Sequence, residues 1–188
     1  FKQKTAYEIG VRLVGSEMCI RDRLSMDGNS PASFSTYGER GTFDLGRALG
    51  TFLTLPFCVG LRGPLGVGKT VMVKGIADGL GIKDTVTSPT YTFCREYRDG
   101  GLKLTHIDLY RIDNVDDLES IGWLDLVLEA DILVVEWIER AAGYLPRDWI
   151  DVELVLAGGD KRSATFRSHG RDSRQILTQL ETSCVGHR

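Results

Sequence analysis

Hydrophobic positions along the chain follow two spacings, one typical of helices and one typical of strands. Apolar residues three or four positions apart predict helices over about 42–53, 71–80, 114–120 and 173–181. Thr42 has the residue type of an N-cap for the first of these helices. Apolar or alternating runs predict strands over about 57–61, 90–97, 102–110, 132–135, 150–156 and 163–168. The pattern therefore predicts a protein of mixed strands and helices.

The loop between the strand over 57–61 and the helix over 71–80 is rich in glycine. Its sequence, Gly63-Pro64-Leu65-Gly66-Val67-Gly68-Lys69-Thr70, has the spacing of a P-loop. Glycines let the backbone N–H groups of such a loop wrap around phosphates at the helix N-terminus. Lys69 is expected to reach the β- and γ-phosphates, and the Thr70 hydroxyl to ligate Mg²⁺. The residues predicted to hold the nucleotide are thus Gly63, Leu65, Gly66, Val67, Gly68, Lys69 and Thr70.

The order of the elements around this loop indicates a fold class. Strands alternate with helices on both sides of a strand–loop–helix unit. We therefore predict an α/β protein with a single-domain, three-layer P-loop NTPase fold and a small mixed parallel/antiparallel sheet. The run 132–135 is apolar throughout, as expected of a central strand that is covered on both faces.

A P-loop needs a second acidic group that organises the metal ion, usually at the end of a neighbouring apolar strand. Glu136 directly follows the run 132–135, and Asp108 ends another apolar stretch. Each could instead be a structural acid at a strand end, Glu136 exposed to solvent and Asp108 capping its strand or forming an ion pair. His106 is either a base or, more commonly for a lone histidine, a core residue. Trp137 is predicted to pack in the core, although its place beside Glu136 would also let it line the site.

The identity of the nucleotide base is indicated by a motif that the sequence lacks. GTPases read guanine with an Asn-Lys-x-Asp segment, and this sequence contains none. ATP is therefore favoured. The sequence has no obvious arginine-rich lid of the kind that nucleotide kinases use, but Arg95, Arg98 and Arg111 keep open the alternative of a P-loop small-molecule or nucleoside kinase.

The composition is that of an ordinary globular protein. The 188 residues are 42% hydrophobic and 26% charged, with a formal net charge of −3. No apolar run is long enough to span a bilayer, so we expect a soluble, cytoplasmic protein with no membrane contact. Cys58, Cys94 and Cys184 are scattered, which indicates neither a zinc site nor a disulfide framework.

The first 23 residues resemble the translation of a sequencing adaptor, and we predict that they are not native. We further predict a flexible lead-in over 24–41, a P-loop ATPase domain over 42–182 and a tail over 183–188. Residues 1–23 hold five basic and three acidic side chains, which leaves 18 basic and 23 acidic ones elsewhere, a net charge of −5. A protein this acidic is not expected to bind nucleic acid unaided, since phosphate binding depends on clustered Lys and Arg.

Four motifs in order resemble the TsaE family, formerly called YjeE: residues 61–70, 87–92, 106–111 and 136–137. With the segment around Thr42 they cover most of residues 40–182. The family comprises bacterial ATPases that assist the threonylcarbamoylation of tRNA. The resemblance implies ATP and Mg²⁺ as cofactors and the TsaB and TsaD proteins as partners. It also implies that tRNA is reached indirectly, through a complex that modifies the adenosine next to the anticodon.

The same resemblance implies roles for single residues. Those expected to act in catalysis are Lys69, Asp108 and Glu136. Mg²⁺ would be held by Thr70 and Glu136. Thr42 would lie near the adenine, and Ser88 and Thr90 would belong to a switch-like loop beside the γ-phosphate.

Three functions of different classes are compatible with these residues. The first is an ATPase subunit in tRNA modification, the second a P-loop kinase, and the third a nucleotide-gated binding module in which hydrolysis is incidental. A kinase would turn over ATP only in the presence of its phosphate acceptor. Slow intrinsic hydrolysis that the partner pair alters is expected of the first function alone.

Overall fold

The computed structural model of the protein describes residues 20–21 and 31–185. Within these ranges eight strands belong to one sheet. They are β1 (Ile20–Arg21), β2 (Ala32–Tyr37), β3 (Phe57–Arg62), β4 (Cys94–Asp99), β5 (Leu102–Asp108), β6 (Ile132–Glu136), β7 (Ile150–Leu156) and β8 (Lys161–Ser168). Their order across the sheet is β1-β2-β8-β7-β3-β6-β5-β4.

The described ranges also contain five α-helices and one short 3₁₀-helix. The α-helices are α1 (Gly38–Phe52), α2 (Lys69–Gly79), α3 (Val115–Ser120), α4 (Trp123–Glu129) and α5 (Arg171–Val185). The 3₁₀-helix spans Ile138–Ala141. None of these helices combines the length and the hydrophobicity needed to cross a membrane.

The middle of the sheet is parallel and its two sides are antiparallel. β3 pairs in parallel with β6 on one side and with β7 on the other, and β5 extends the parallel part beyond β6. β4 is antiparallel to β5, while β8 and β2 continue the other side of the sheet in antiparallel pairs. The predicted α/β domain with a mixed sheet is confirmed.

Two hydrophobic cores lie on opposite faces of the sheet. One includes Leu49 of α1, Ile76 of α2 and Leu180 of α5. The other includes Leu118 of α3 and Trp123 of α4. Successive apolar residues of β6 belong alternately to the two cores, because side chains along a strand point to alternate faces. Helices therefore cover both faces, which gives the predicted three layers.

Helices α1 and α2 cross at very short range through glycines. A Cβ atom on Gly46 would come within 2.4 Å of the Met72 carbonyl oxygen, and one on Gly75 within 2.1 Å of the Phe43 carbonyl oxygen. Only glycine permits this approach, since any side chain would separate the two backbones. The crossing fixes α2, the helix that begins with the lysine of the P-loop.

The sequence predicts a flexible lead-in over 24–41, but the described part of that range contains β2 and the first residues of α1. β2 pairs with β8, and the Phe34 ring packs edge-on against Phe166 with 5.3 Å between ring centres. Pairing with a strand far along the chain overrides the Ser- and Gly-rich local composition. Residues 24–30 lie outside the described residues, as does nearly all of the segment 1–23. In that segment Ile20 and Arg21 pair with β2, and its adaptor origin stays a prediction.

The prediction of Thr42 as a helix N-cap is wrong. α1 begins at Gly38, whose φ of 62° lets the chain turn directly from β2 into the helix. Thr42 lies one turn inside, fully buried, and its hydroxyl donates to the Gly38 carbonyl at 3.3 Å.

Several predicted boundaries also differ from the structure. β4 begins at Cys94 rather than Thr90, because Phe93 has a φ of 61° that interrupts the extended chain. α5 continues to Val185, beyond the predicted domain end at 182 and into the predicted tail. Helix α4 and the 3₁₀-helix are not predicted from the sequence.

Candidate functional site

The P-loop connects the end of β3 to Lys69, the first residue of α2. Gly63, Gly66 and Gly68 have φ angles of 129°, 76° and 114°, in the region that only glycine adopts freely. A Cβ atom on Gly63 would also lie 2.2 Å from the Leu154 carbonyl oxygen. The curved backbone of the loop therefore depends on these three glycines.

The Lys69 side chain folds back over the loop. Its Nζ donates to the carbonyl oxygens of Gly63 at 2.8 Å and Pro64 at 3.0 Å, and lies 4.0 Å from the centre of the Trp137 ring. Lys69 is buried, and burial lowers the pKa of its ammonium group, an effect that the nearby Glu136 carboxylate opposes. The loop thus holds a positive charge that has lost most of its water.

Side chains from three elements meet at one carboxylate oxygen. Oε1 of Glu136, at the end of β6, accepts a hydrogen bond from Thr70 Oγ1 of α2 at 2.7 Å. The same oxygen lies 3.0 Å from Nε2 of His106 in β5. An ionised carboxylate can only accept, so His106 Nε2 carries the hydrogen of this bond. The parallel pairing of β5 with β6 also places Asp108 directly opposite Glu136.

Asp108 connects the loop before β4 to the end of β5, beside Glu136. Thr90 Oγ1 donates a hydrogen bond to Oδ2 of Asp108 and lies 2.7 Å from Ser88 Oγ. The backbone N–H of Tyr110 donates to the other Asp108 oxygen at 2.9 Å. The segment 87–92 is therefore anchored at the end of β5, close to the P-loop.

These groups line an open pocket of about 240 Å³. The lining residues that are predicted from the sequence are Leu65, Gly66, Gly68, Lys69, Thr70, Ser88, Thr90, Asp108 and Glu136. Gly63, Val67 and Thr42 are not part of the lining. The carbonyl oxygen of Gly63 accepts from Lys69, that of Val67 accepts from Arg162 of β8, and Thr42 is buried in α1 beside Gly68.

The remaining lining residues are Glu39, Val71, Tyr110, Trp137 and Arg162. Of these, only Trp137 is considered for the site from the sequence, because it follows Glu136. The Arg162 side chain reaches from β8 and donates through Nε to the Val67 carbonyl oxygen at 2.9 Å. No local motif marks Arg162, since 95 residues separate the two partners of this bond and only the sheet brings them together.

The oxygen atoms of Thr70 and Glu136 suit a small hard cation. Mg²⁺ prefers oxygen ligands and is commonly bound by one or two carboxylates together with substrate phosphates and water. No group of three or more His, Cys, Asp or Glu side chains within the described residues could hold a metal. A site of one hydroxyl and one carboxylate therefore fits Mg²⁺ in company with phosphate oxygens, but not a zinc-type cage.

A glycine-rich loop between a strand and a helix, with a buried lysine and a carboxylate at the next strand end, defines a nucleotide-binding protein with the P-loop NTPase fold. The crystal structure of Bacillus subtilis YdiB is similar, with a TM-score of 0.70 and 28% identity over 82% of this chain and 97% of that chain.

Sequence comparison identifies the family within this class. A family profile described as "Threonylcarbamoyl adenosine biosynthesis protein TsaE" matches residues 36–164. The tRNA threonylcarbamoyladenosine biosynthesis protein TsaE of Bacillus subtilis is 38% identical over 120 residues, or 64% of this chain and 75% of the relative. The TsaE protein of Treponema pallidum is 41% identical over 117 residues, which are 62% of this chain and 86% of the relative. The TsaE protein of Mycobacterium bovis is 39% identical over 140 residues, which cover 69% of this chain and 82% of the relative. The chain belongs to the TsaE family, which confirms the resemblance seen in the sequence.

Proposed function

We propose that the protein is a Mg²⁺-dependent ATPase that assists the TsaB–TsaD complex in the threonylcarbamoylation of the adenosine next to the tRNA anticodon. The observation that carries this proposal is the 2.7 Å contact between Thr70 Oγ1 and Glu136 Oε1. It joins the hydroxyl at the end of the P-loop to an acid 66 residues away, at the end of the strand beside β3. A phosphate-binding loop and a metal-organising carboxylate are the two parts that phosphoryl transfer requires.

The loop is proposed to hold the phosphates of ATP. Backbone N–H groups of Leu65, Gly66, Val67 and Gly68 would face them at the N-terminus of α2, where the helix dipole favours anions. Lys69 would exchange its bonds to two carbonyl oxygens for bonds to the β- and γ-phosphates. Gly63 would contribute the turn, and Thr42 in α1 would support the adenine side of the site.

Thr70 and Glu136 are the residues that would hold Mg²⁺. The chemistry that the ion supplies when bound is neutralisation of charge on the β- and γ-phosphate oxygens. Asp108 lies beside Glu136 in register and has both oxygens hydrogen-bonded. We propose that Asp108 orients the water that attacks the γ-phosphorus, so that the bond to the ADP oxygen breaks and phosphate leaves.

The segment 87–92 is proposed to report the state of the nucleotide to the partners. Ser88 and Thr90 line the pocket, and Thr90 bonds to Asp108. A γ-phosphate can therefore order this loop, as in other nucleotide switches. With a net charge of −3, the chain depends on TsaB and TsaD for contact with tRNA, and this role implies a cytoplasmic protein.

The test measures ATP hydrolysis by the purified protein alone and with TsaB–TsaD. We expect slow hydrolysis that the partner pair alters, and its loss in Thr70→Ala. Thr178→Ala is the matched control, because Thr178 is an exposed residue of α5 whose hydroxyl donates to the Arg174 carbonyl oxygen of the same helix. Equal hydrolysis by wild type and Thr70→Ala would contradict the site. Phosphate transferred to a small-molecule acceptor would favour the kinase.

A further inference from the structure

One buried side chain beside the site has no role in the proposed function. His106 is fully buried in β5, two residues before Asp108. Its Nε2 donates to Glu136, whereas its Nδ1 has no hydrogen-bond partner among the described residues. A buried polar atom without a partner is unfavourable, and an apolar side chain of similar size would avoid that cost. What histidine adds at this position is the bond to Glu136.

The strand geometry explains why this residue can reach the carboxylate. His106 and Asp108 point to the same face of β5, and Val134 and Glu136 are their partners on the same face of β6. His106 is thus the diagonal neighbour of Glu136, within reach of a long side chain. Thr105, the residue before it, points to the opposite face and is equally buried.

The two hydrogen bonds to Glu136 involve only one of its two carboxylate oxygens. Both fall on Oε1, from Thr70 and from His106, and Glu136 lines the pocket. Oε2 takes neither bond and is the oxygen they leave for a cation. Thr70 is itself a proposed ligand of that cation, so its hydroxyl has to serve two partners. Within the described part of the chain, Nε2 of His106 has no second hydrogen-bond partner.

We propose that His106 is a positioning residue, which holds the Glu136 carboxylate in the orientation that binds Mg²⁺. The inference rests on the proposed function, because it assumes that Glu136 is a ligand. His106 is not among the residues that line the pocket, so it would act through Glu136. Removing a hydrogen bond to a ligating group typically weakens metal affinity by about 10- to 100-fold. We expect a loss of about tenfold here.

The experiment titrates Mg²⁺ into the full chain with a non-hydrolysable ATP analogue, measured by calorimetry, and repeats the nucleotide titration in EDTA. His106→Met fills the space without the donor. It is expected to weaken Mg²⁺ affinity about tenfold and to leave nucleotide affinity in EDTA within about twofold of wild type. Thr105→Val is the matched control and should change neither value, because it removes a hydroxyl on the other face that has no hydrogen-bond partner among the described residues.

Two polar replacements of His106 test the same hydrogen bond in case His106→Met disturbs the fold. Gln has its amide nitrogen at the distance of Nε2, whereas the shorter Asn has it at the distance of Nδ1. His106→Gln is therefore expected to retain Mg²⁺ affinity and His106→Asn to lose it. Equal affinities in these two variants would overturn the inference, as would an equal loss of nucleotide affinity in EDTA.

A double-mutant cycle with Glu136→Gln separates this inference from the function on which it rests. If His106 acts through the carboxylate, His106→Met has little further effect once Glu136 is glutamine. Additive losses mean that His106 acts in another way and refute the inference alone. If Glu136→Gln itself leaves Mg²⁺ affinity unchanged, the proposed metal site fails and the role of His106 fails with it.

Discussion

Replacing Lys69 with methionine tests the phosphate-binding role of the P-loop while keeping an unbranched side chain in place. The ammonium group makes two hydrogen bonds, to the carbonyl oxygens of Gly63 and Pro64. It also lies over the Trp137 ring, a contact that the methionine side chain can partly preserve. The substitution therefore removes charge with little loss of packing.

The expected effects on folding and on binding differ in size. Hydrogen bonds from a charged donor contribute about 1.5–3 kcal/mol each, but burial of the ammonium group, which also lowers the pKa of Lys69, opposes them. We expect a net loss of stability of about 1 kcal/mol, or about 2–4 °C in melting temperature. Binding loses bonds in which both partners are ionised, about 3 kcal/mol or roughly 100-fold in affinity.

The assay is calorimetric titration with a non-hydrolysable ATP analogue and Mg²⁺, together with thermal unfolding of the same samples. Lys74→Met is the matched control, because Lys74 is an exposed lysine of the same helix. It should change neither value. An affinity of Lys69→Met within about threefold of wild type would refute the reasoning, because the buried charge would then contribute nothing to binding.

Three further changes test the structure around the site. Tyr97→Phe removes both bonds between the Tyr97 hydroxyl and the Thr87 backbone, each 3.0 Å long, about 1–2 kcal/mol in total. Amide exchange in the loop after Thr87 should accelerate, and unchanged exchange would contradict this anchor. Gly60→Ala places a Cβ atom 2.6 Å from Ile138 Cγ1, so the free energy of unfolding measured in urea should fall by about 1–3 kcal/mol. An unchanged urea midpoint would mean that the packing around Gly60 can accommodate an added methyl group. Burial raises the pKa of the Cys58 thiol to about 12, so at pH 8 it is protonated and should react with a thiol reagent only after unfolding. Labelling of Cys58 in the native protein, mapped by mass spectrometry, would show that the core opens readily.

Much of the site could be predicted because its parts are local. The P-loop is one continuous segment, and its glycines and lysine are recognisable without knowledge of the fold. Glu136 could be assigned to the same site because parallel strands end at the same edge of a sheet, and its bond to Thr70 agrees with this. Strand β7 has the predicted bounds because its alternation is strong.

The features that could not be predicted depend on contacts distant in sequence. β2 is polar by composition, and its pairing with β8 and the packing of Phe34 make it a strand. Arg162 reaches the P-loop from β8, and Glu39 lines the pocket because α1 begins earlier than its apolar pattern indicates. The bond from His106 to Glu136 likewise requires the register of β5 against β6.

The most direct test of the proposed function is a reconstituted assay of tRNA modification. It contains TsaB, TsaD, this protein, ATP, tRNA and a donor of the threonylcarbamoyl group. The product measured is threonylcarbamoyladenosine per TsaD molecule. We propose that ATP hydrolysis resets the complex after each turnover. We therefore predict repeated turnover with wild-type protein and ATP, and no more than about one turnover with Thr70→Ala or with a non-hydrolysable analogue. Repeated turnover at the wild-type rate with Thr70→Ala, or without this protein, would contradict the proposal that ATP hydrolysis at this P-loop assists the complex.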